Sequence, residues 1–143
     1  MLELMKRRNI DLLVDQFWKR GYLTISRKFG TYLPEPSKIG KFDVDVIAKY
    51  KKNYAIGITL TIEDMDDALM MDRLNFLATR QTKYSNKKVP LFIGVPSALL
   101  GNAKIIVEKL EPEARNNIHL FSISGKPVAQ RRNNFEKAST LFS

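Results

Sequence analysis

The chain has 143 residues, of which 44% are hydrophobic and 27% charged, and this composition excludes wholesale disorder. It has no cysteine, which excludes disulfides and cysteine–zinc sites, and its 24 basic and 15 acidic residues leave a net charge of +9, typical of proteins that meet a polyanion. Neither an apolar run near the ~20 residues that span a bilayer nor a signal-peptide pattern is present, so we expect a cytoplasmic protein without a membrane partner.

The first part of the chain predicts a helix, a strand and an irregular loop. Apolar residues at helical spacing predict a helix over 2–20, which Gly21 is placed to end. Residues 22–28 are typical of a strand. Two prolines and two glycines then predict a loop over 29–41.

A β-hairpin is predicted next, with strands over 42–50 and 54–62. The turn holds two lysines followed by Asn53, which we expect to take the positive φ of a tight hairpin. The second strand alternates strictly between two faces. One face is apolar, with Ile56, Ile58, Leu60 and Ile62, and the other is small or hydroxyl-bearing, with Ala55, Gly57, Thr59 and Thr61.

The second half of the chain predicts two α/β crossovers. A long helix is expected from 62 or 63 to 84, with a buried stripe formed by Ala68, Met71, Leu74, Leu77 or Ala78, and Gln81. The apolar run 89–95 predicts a central strand covered on both faces, and Ser97 is a plausible cap for a helix over 98–110. A last strand is expected over 118–123. The order α-β-β-β-α-β-α-β predicts an α/β fold with a mixed central sheet flanked by helices.

Two aspartates stand at the start of the predicted hairpin. Asp43 and Asp45 are two residues apart, so on a strand their side chains share a face with Cα atoms ~6.6 Å apart. Carboxylates at this spacing can jointly attract Mg²⁺ or Mn²⁺. A merely solvated acidic pair is the alternative that the spacing leaves open.

The order of these elements resembles the PD-(D/E)XK nuclease superfamily, nearest its archaeal Holliday-junction resolvase branch. The resemblance covers residues 10–123 and lies in the helix ending KRGY, the strand LTISRK, the basic Pro/Gly loop, and DVIA followed by a hairpin. It implies a restriction-endonuclease-like sandwich in a single nuclease-like domain over 1–124, with a basic polar tail over 125–143. It also implies that Asp45, assisted by Asp43, is the catalytic metal ligand.

The chain departs from that family on the second hairpin strand. The family has an acid and, two residues later, a lysine, and these positions fall on Gly57 and Thr59. The acid would complete the metal site, and the lysine would orient the attacking water and stabilise the developing negative charge. The family also often has a glutamate on its first helix, and the nearest residues here are Asn9 and Asp11. The resemblance therefore implies impaired catalysis.

Basic residues with neighbouring aromatics indicate where a nucleic acid would bind. Such residues suit phosphate contacts and base stacking, although a solvated loop is equally compatible with the loop composition. The candidates lie at the end of the first strand, in the loop, in the hairpin turn and in the tail: Arg27, Lys28, Lys38, Lys41, Lys51, Lys52, Arg131 and Arg132.

Three functions fit this sequence. The leading hypothesis is a catalytically impaired nucleic-acid-binding protein, with DNA expected ahead of RNA, no cofactor, and a homodimer as the expected assembly. The alternative is a Mg²⁺- or Mn²⁺-dependent DNA endonuclease with relocated catalytic residues. The third is a non-enzymatic regulatory or structural subunit that docks through the acidic stretch 63–72. His119, the only histidine, is expected to be a hydrogen-bonded strand residue.

Overall fold

The computed structural model describes residues 2–83 and 85–123. Tyr84 and residues 124–143 lie outside these ranges, and with them the predicted tail, including Arg131 and Arg132. Within the described ranges, no helix is both long and apolar enough to cross a membrane.

Five strands form one mixed sheet whose spatial order follows the chain. They are β1 (Leu23–Arg27), β2 (Val46–Tyr50), β3 (Asn53–Thr59), β4 (Leu91–Val95) and β5 (Ile118–Ser122). The pairs β1–β2 and β2–β3 are antiparallel, whereas β3–β4 and β4–β5 are parallel. The predicted α/β fold with a mixed sheet flanked by helices is confirmed.

Helices cover both faces of the sheet. They are α1 (Leu2–Lys19), α2 (Ile62–Met65), α3 (Met70–Leu77), α4 (Leu100–Glu108) and α5 (Pro112–Arg115), with a 3-10 turn at Ser97–Leu99. On one face α1 packs on the sheet through Ile10, Leu13 and Phe17. On the other face α3, α4 and α5 bury Ile58, Leu91 and their neighbours. The sheet therefore separates two hydrophobic cores.

The predicted hairpin is present, but its first strand starts later and its second strand ends earlier than predicted. The first strand begins at Val46 rather than at residue 42, and the second ends at Thr59, so that Ile62, 59% exposed, starts α2 instead. Lys51, and not Asn53, takes the positive φ of the turn. The two predicted faces of β3 are otherwise confirmed, since Ile56 and Ile58 lie in one core and Ala55 in the other.

The prediction of one continuous helix over 62–84 is wrong. The chain forms α2 and then α3, and Ala68 and Gln81 of the predicted stripe are exposed. Local side-chain bonds explain the break. Thr61 and Asp64 form a capping box at the start of α2, and the Asp67 carboxylate accepts the Leu69 N–H at 2.9 Å. Such acidic side chains compete with the helical hydrogen bonds that the sequence pattern favours.

The second half otherwise follows the predictions closely. The strand β4 is buried along its whole length, as expected for a central strand. Ser97 begins the 3-10 turn rather than capping a helix, and its hydroxyl hydrogen-bonds with that of Ser122. The short helix α5 is not anticipated by the sequence patterns; it starts with Pro112, a residue suited to a first helical position.

Candidate functional site

Asp45 is the centre of a buried polar cluster at one end of the sheet. It is 1% exposed, and its Oδ2 atom accepts three hydrogen bonds. The donors are the Thr59 backbone N–H at 2.7 Å, the Thr59 hydroxyl at 3.0 Å and the Lys6 ammonium at 3.1 Å. A buried carboxylate needs such partners, because removing its charge from water is otherwise costly.

Two lysines from different elements face this carboxylate. Lys6, from α1, also donates to the Thr59 hydroxyl at 2.6 Å and to the Thr59 carbonyl at 3.2 Å. The Lys28 ammonium lies 4.0 Å from Asp45 Oδ1, and its backbone N–H donates to the Asp45 carbonyl. The two side chains are 25% and 29% exposed, so both are partly accessible to solvent. Two cations against one carboxylate leave the cluster with a positive charge.

The position of Lys6 follows from the packing of α1. Ile10 and Leu13 follow it at i+4 and i+7, so the three side chains lie along one side of the helix. Ile10 and Leu13 are fully buried against the sheet, and this seats Lys6 over the end of β3. The sequence analysis missed Lys6, although extending the apolar stripe one turn toward the N-terminus points to it.

The two predicted metal ligands do not meet. Because β2 begins at Val46, Asp43 and Asp45 do not share the face of a strand, and Asp43 is exposed. The Asp43 carbonyl accepts a hydrogen bond from Arg73, while its carboxylate takes no part in the Asp45 cluster. Among residues 2–83 and 85–123, no three histidine or acidic side chains are grouped to hold a metal ion. The groups that contact Asp45 are N–H and O–H donors and not a set of oxygen ligands for a divalent cation.

The resemblance to PD-(D/E)XK nucleases implies an acid at position 57 and a lysine at position 59, and neither side chain is present here. A Cβ atom added at Gly57 would lie 2.6 Å from Phe17 Cε2 and 3.0 Å from Leu13 Cδ2, so α1 leaves no room for an acid there. Thr59 presents only a hydroxyl. The ammonium of Lys6 lies beside that hydroxyl, so a positive charge is present near the expected position but comes from α1.

A basic groove of about 310 Å³ adjoins the cluster. The Arg7 guanidinium lies over the Phe29 ring at 5.2 Å, and Arg27 pairs with Asp11 at 2.6 Å. Tyr32, on the loop at the rim of the groove, is 95% exposed. We call the following residues the basic surface: Lys6, Arg7, Arg27, Lys28, Phe29 and Tyr32.

The other predicted nucleic-acid contacts within residues 2–83 and 85–123 lie away from the basic surface. Lys51 and Lys52 form the hairpin turn, and Thr59 is six residues from the start of β3, so ~20 Å separates the turn from the Asp45 cluster. Lys38 and Lys41 are exposed on a part of the loop that packs over α3 through Phe42 and Phe76. Of the predicted contacts, the structure therefore brings Lys28 to Asp45, while Arg27 pairs with Asp11 in the basic groove.

His119 lies on β5 and does not contribute to this cluster. Among the described residues it makes no hydrogen bond; instead its ring stacks on Phe92 with centroids 4.8 Å apart. Partial burial and, secondarily, the nearby Arg20 guanidinium lower the pKa of His119 below its ordinary value of 6.5. The residue is thus held largely neutral near pH 7.

Similarity to known proteins does not assign this site. Comparison of the chain with protein families, with curated proteins and with solved structures found no match. Residue geometry and charge are therefore the basis for assigning a function.

Proposed function

We propose that this protein binds nucleic acid through the basic surface, and that Asp45 holds the lysines of that surface in place. The observation that carries the proposal is the pairing of one buried carboxylate with two partly exposed ammoniums, at 3.1 Å for Lys6 and 4.0 Å for Lys28. Cations that are already ordered lose less conformational entropy when a phosphate binds.

The rest of the basic surface suits the same ligand. Arg7, half-exposed and near the exposed Glu3, offers a guanidinium to a sugar–phosphate backbone. Arg27 lines the same groove in an ion pair with Asp11. Tyr32 offers an exposed ring on which a base can stack. The net charge of +9 attracts a polyanion from a distance and speeds its association.

The geometry favours binding over the other two candidate functions. In a metal-dependent nuclease the carboxylate oxygens bind the ion, whereas Asp45 Oδ2 is already occupied by three donors. A docking subunit would present the acidic stretch to its partner. Two of its carboxylates, Asp64 and Asp67, instead accept hydrogen bonds from nearby backbone N–H groups.

Fluorescence anisotropy with labelled single-stranded and duplex DNA and RNA tests the proposal. The double variant Arg7→Gln/Lys28→Gln removes two charges from the basic surface, and Lys51→Gln/Lys52→Gln removes two charges from the hairpin turn as the matched control. We expect the first variant to weaken binding by about tenfold and the control to change it by less than about threefold. Equal losses in the two variants, or no binding by the wild type at low salt, would refute the proposal.

A cleavage assay separates binding from catalysis. The wild type is incubated with Mn²⁺ and branched, single-stranded or duplex DNA, beside the Asp45→Ala variant. We expect both proteins to leave the DNA intact. Cleavage by the wild type that disappears in Asp45→Ala would replace the proposal with the endonuclease alternative.

A further inference from the structure

A second groove of about 610 Å³ lies against Lys6 and is more apolar than the first. Its walls are formed largely by Met5 on α1, Ile62 at the start of α2, and Pro96 and Leu99 after β4. Met5 and Ile62 are 58% and 59% exposed, so these walls are open to a ligand. The volume is within the range of about 300–1,000 Å³ of small-molecule sites.

Asn9 lies in this groove, and its side-chain amide has no hydrogen-bond partner among the described residues. The residue is only 6% exposed. A buried amide without partners destabilises a fold, so a polar group in such a position calls for an explanation. The amide presents an acceptor next to a donor, and a ligand that enters the groove can satisfy both.

We propose that this groove receives an unpaired nucleobase of the nucleic acid whose phosphates lie on the basic surface. This inference rests on the proposed function. An asparagine amide pairs with a base edge through two hydrogen bonds, and the apolar walls contact the faces of the ring. Lys6 borders both the groove and the Asp45 cluster, so a base in the groove has a cation beside its phosphate.

The charges in the groove decide which part of a nucleotide enters it. Glu63 and Asp64 line it together with the apolar residues, and they repel phosphate. A neutral base meets no such repulsion, while the phosphate stays on the lysine side. The substrate class is therefore a nucleic acid with unpaired bases, because a base in a duplex is already paired and stacked.

Two labelled DNA strands of equal length test the inference. One is an ordinary single strand, and the other carries abasic sites in place of its nucleotides, so the phosphates are the same and the bases are missing. We expect the wild type to bind the ordinary strand about tenfold more tightly. Asn9→Leu should lose most of this preference, retain the affinity for the abasic strand, and melt at a higher temperature because the unpartnered amide is gone.

Three further variants serve as controls. Asn102→Leu makes the same exchange at an exposed position of α4 and should keep the wild-type preference. Arg7→Gln should weaken binding to the ordinary strand and to the abasic strand by the same factor. Asn9→Ala repeats the test with a smaller side chain if the leucine distorts α1.

The outcomes distinguish the two proposals. Equal binding of both strands by the wild type, or an unchanged preference in both Asn9 variants, overturns the base pocket and leaves phosphate binding intact. Failure of the wild type to bind either strand overturns both proposals.

Discussion

At the scale of single residues, Asp45 shows how a buried charge can organise a surface. A carboxylate that is 1% exposed is stable only if donors surround it, and Thr59 and Lys6 supply three hydrogen bonds. In return, the carboxylate holds a lysine that would otherwise sample many rotamers. We therefore assign Asp45 a positioning role in binding.

The variant Asp45→Asn tests this role. The amide keeps the size of the side chain and an oxygen that accepts from Thr59 and Lys6, but it loses the charge. We expect the free energy of unfolding to fall by about 2–3 kcal/mol, less than for a fully buried pair because Lys6 is 25% exposed. Affinity for DNA should fall by about threefold, because Lys6 and Lys28 lose the negative charge that orders them. Urea unfolding and anisotropy measure the two effects. A folded variant that binds DNA as tightly as the wild type would contradict the positioning role.

His119 predicts a dependence of stability on pH. Burial and Arg20 lower its pKa in the folded protein, so the unfolded chain binds the proton more readily. Stability is therefore present above the ordinary value of 6.5 and is lost as pH falls below it. The variant His119→Phe keeps an aromatic ring on Phe92 and removes the titration. Melting temperatures between about pH 8 and about pH 5 should fall more for the wild type than for the variant. Parallel curves would contradict this assignment.

At the scale of elements, the close approach of α1 to β3 shapes the site. Gly57 has no side chain, and the rings and methyls of Phe17 and Leu13 occupy the space where a Cβ would lie. Because of this contact, α1 packs close against the sheet. Lys6 lies on the same side of α1 and donates a hydrogen bond to Asp45. The absence of an acid at position 57 thus has a structural cause.

The exchange Gly57→Ala should disturb this contact. The added Cβ would lie 2.6 Å from Phe17 Cε2, and we expect a loss of about 1–3 kcal/mol in the free energy of unfolding. Gly101→Ala is the matched control, because no atom lies within 4 Å of the added Cβ and the position is inside α4. It should stabilise the protein by about 0.5–1 kcal/mol. Similar unfolding midpoints for the two variants in guanidinium chloride would contradict the close packing of α1 on β3.

Some elements could be predicted from the sequence because their signals are local. The alternation along β3 separates the large apolar side chains in one core from the small ones that face α1, and the apolar run of β4 reflects burial on both faces. The break between α2 and α3 could not be predicted, because it depends on which acidic side chain bonds to which backbone N–H. Lys6 was missed for a similar reason. A lysine near an apolar stripe is normally solvated, and only the register of α1 over β3 brings it to Asp45.

At the scale of the whole molecule, two groups of cations in the described part of the chain lie far apart. The basic surface lies at the end of the sheet where β3 finishes, and the hairpin turn with Lys51 and Lys52 lies ~20 Å away. Four cations of the basic surface, Lys6, Arg7, Arg27 and Lys28, lie on α1 and at the end of β1, and we expect one strand of nucleic acid to follow them. Binding through these cations should release counterions.

The affinity for single-stranded DNA should therefore fall steeply with salt. If the four cations of the basic surface each neutralise up to one phosphate, the slope of log K against log salt concentration is about −2 to −3. Anisotropy titrations at a series of potassium chloride concentrations give this slope. The Lys51→Gln/Lys52→Gln protein should share it, and Arg7→Gln/Lys28→Gln should reduce its magnitude by about 1.4, because each phosphate contact on a single strand contributes about 0.7. A slope near zero would mean that phosphate contacts do not drive binding.

The most direct test of the account is a map of where nucleic acid touches the protein. Backbone amide chemical shifts of the isotope-labelled protein are followed by NMR while single-stranded DNA is added. We predict that the largest changes fall on Lys6, Arg7, Lys28 and Phe29, with small changes at Lys51 and Lys52. Changes confined to the hairpin turn, or no changes at saturating DNA and low salt, would contradict the central claim that the Asp45 cluster organises the binding surface.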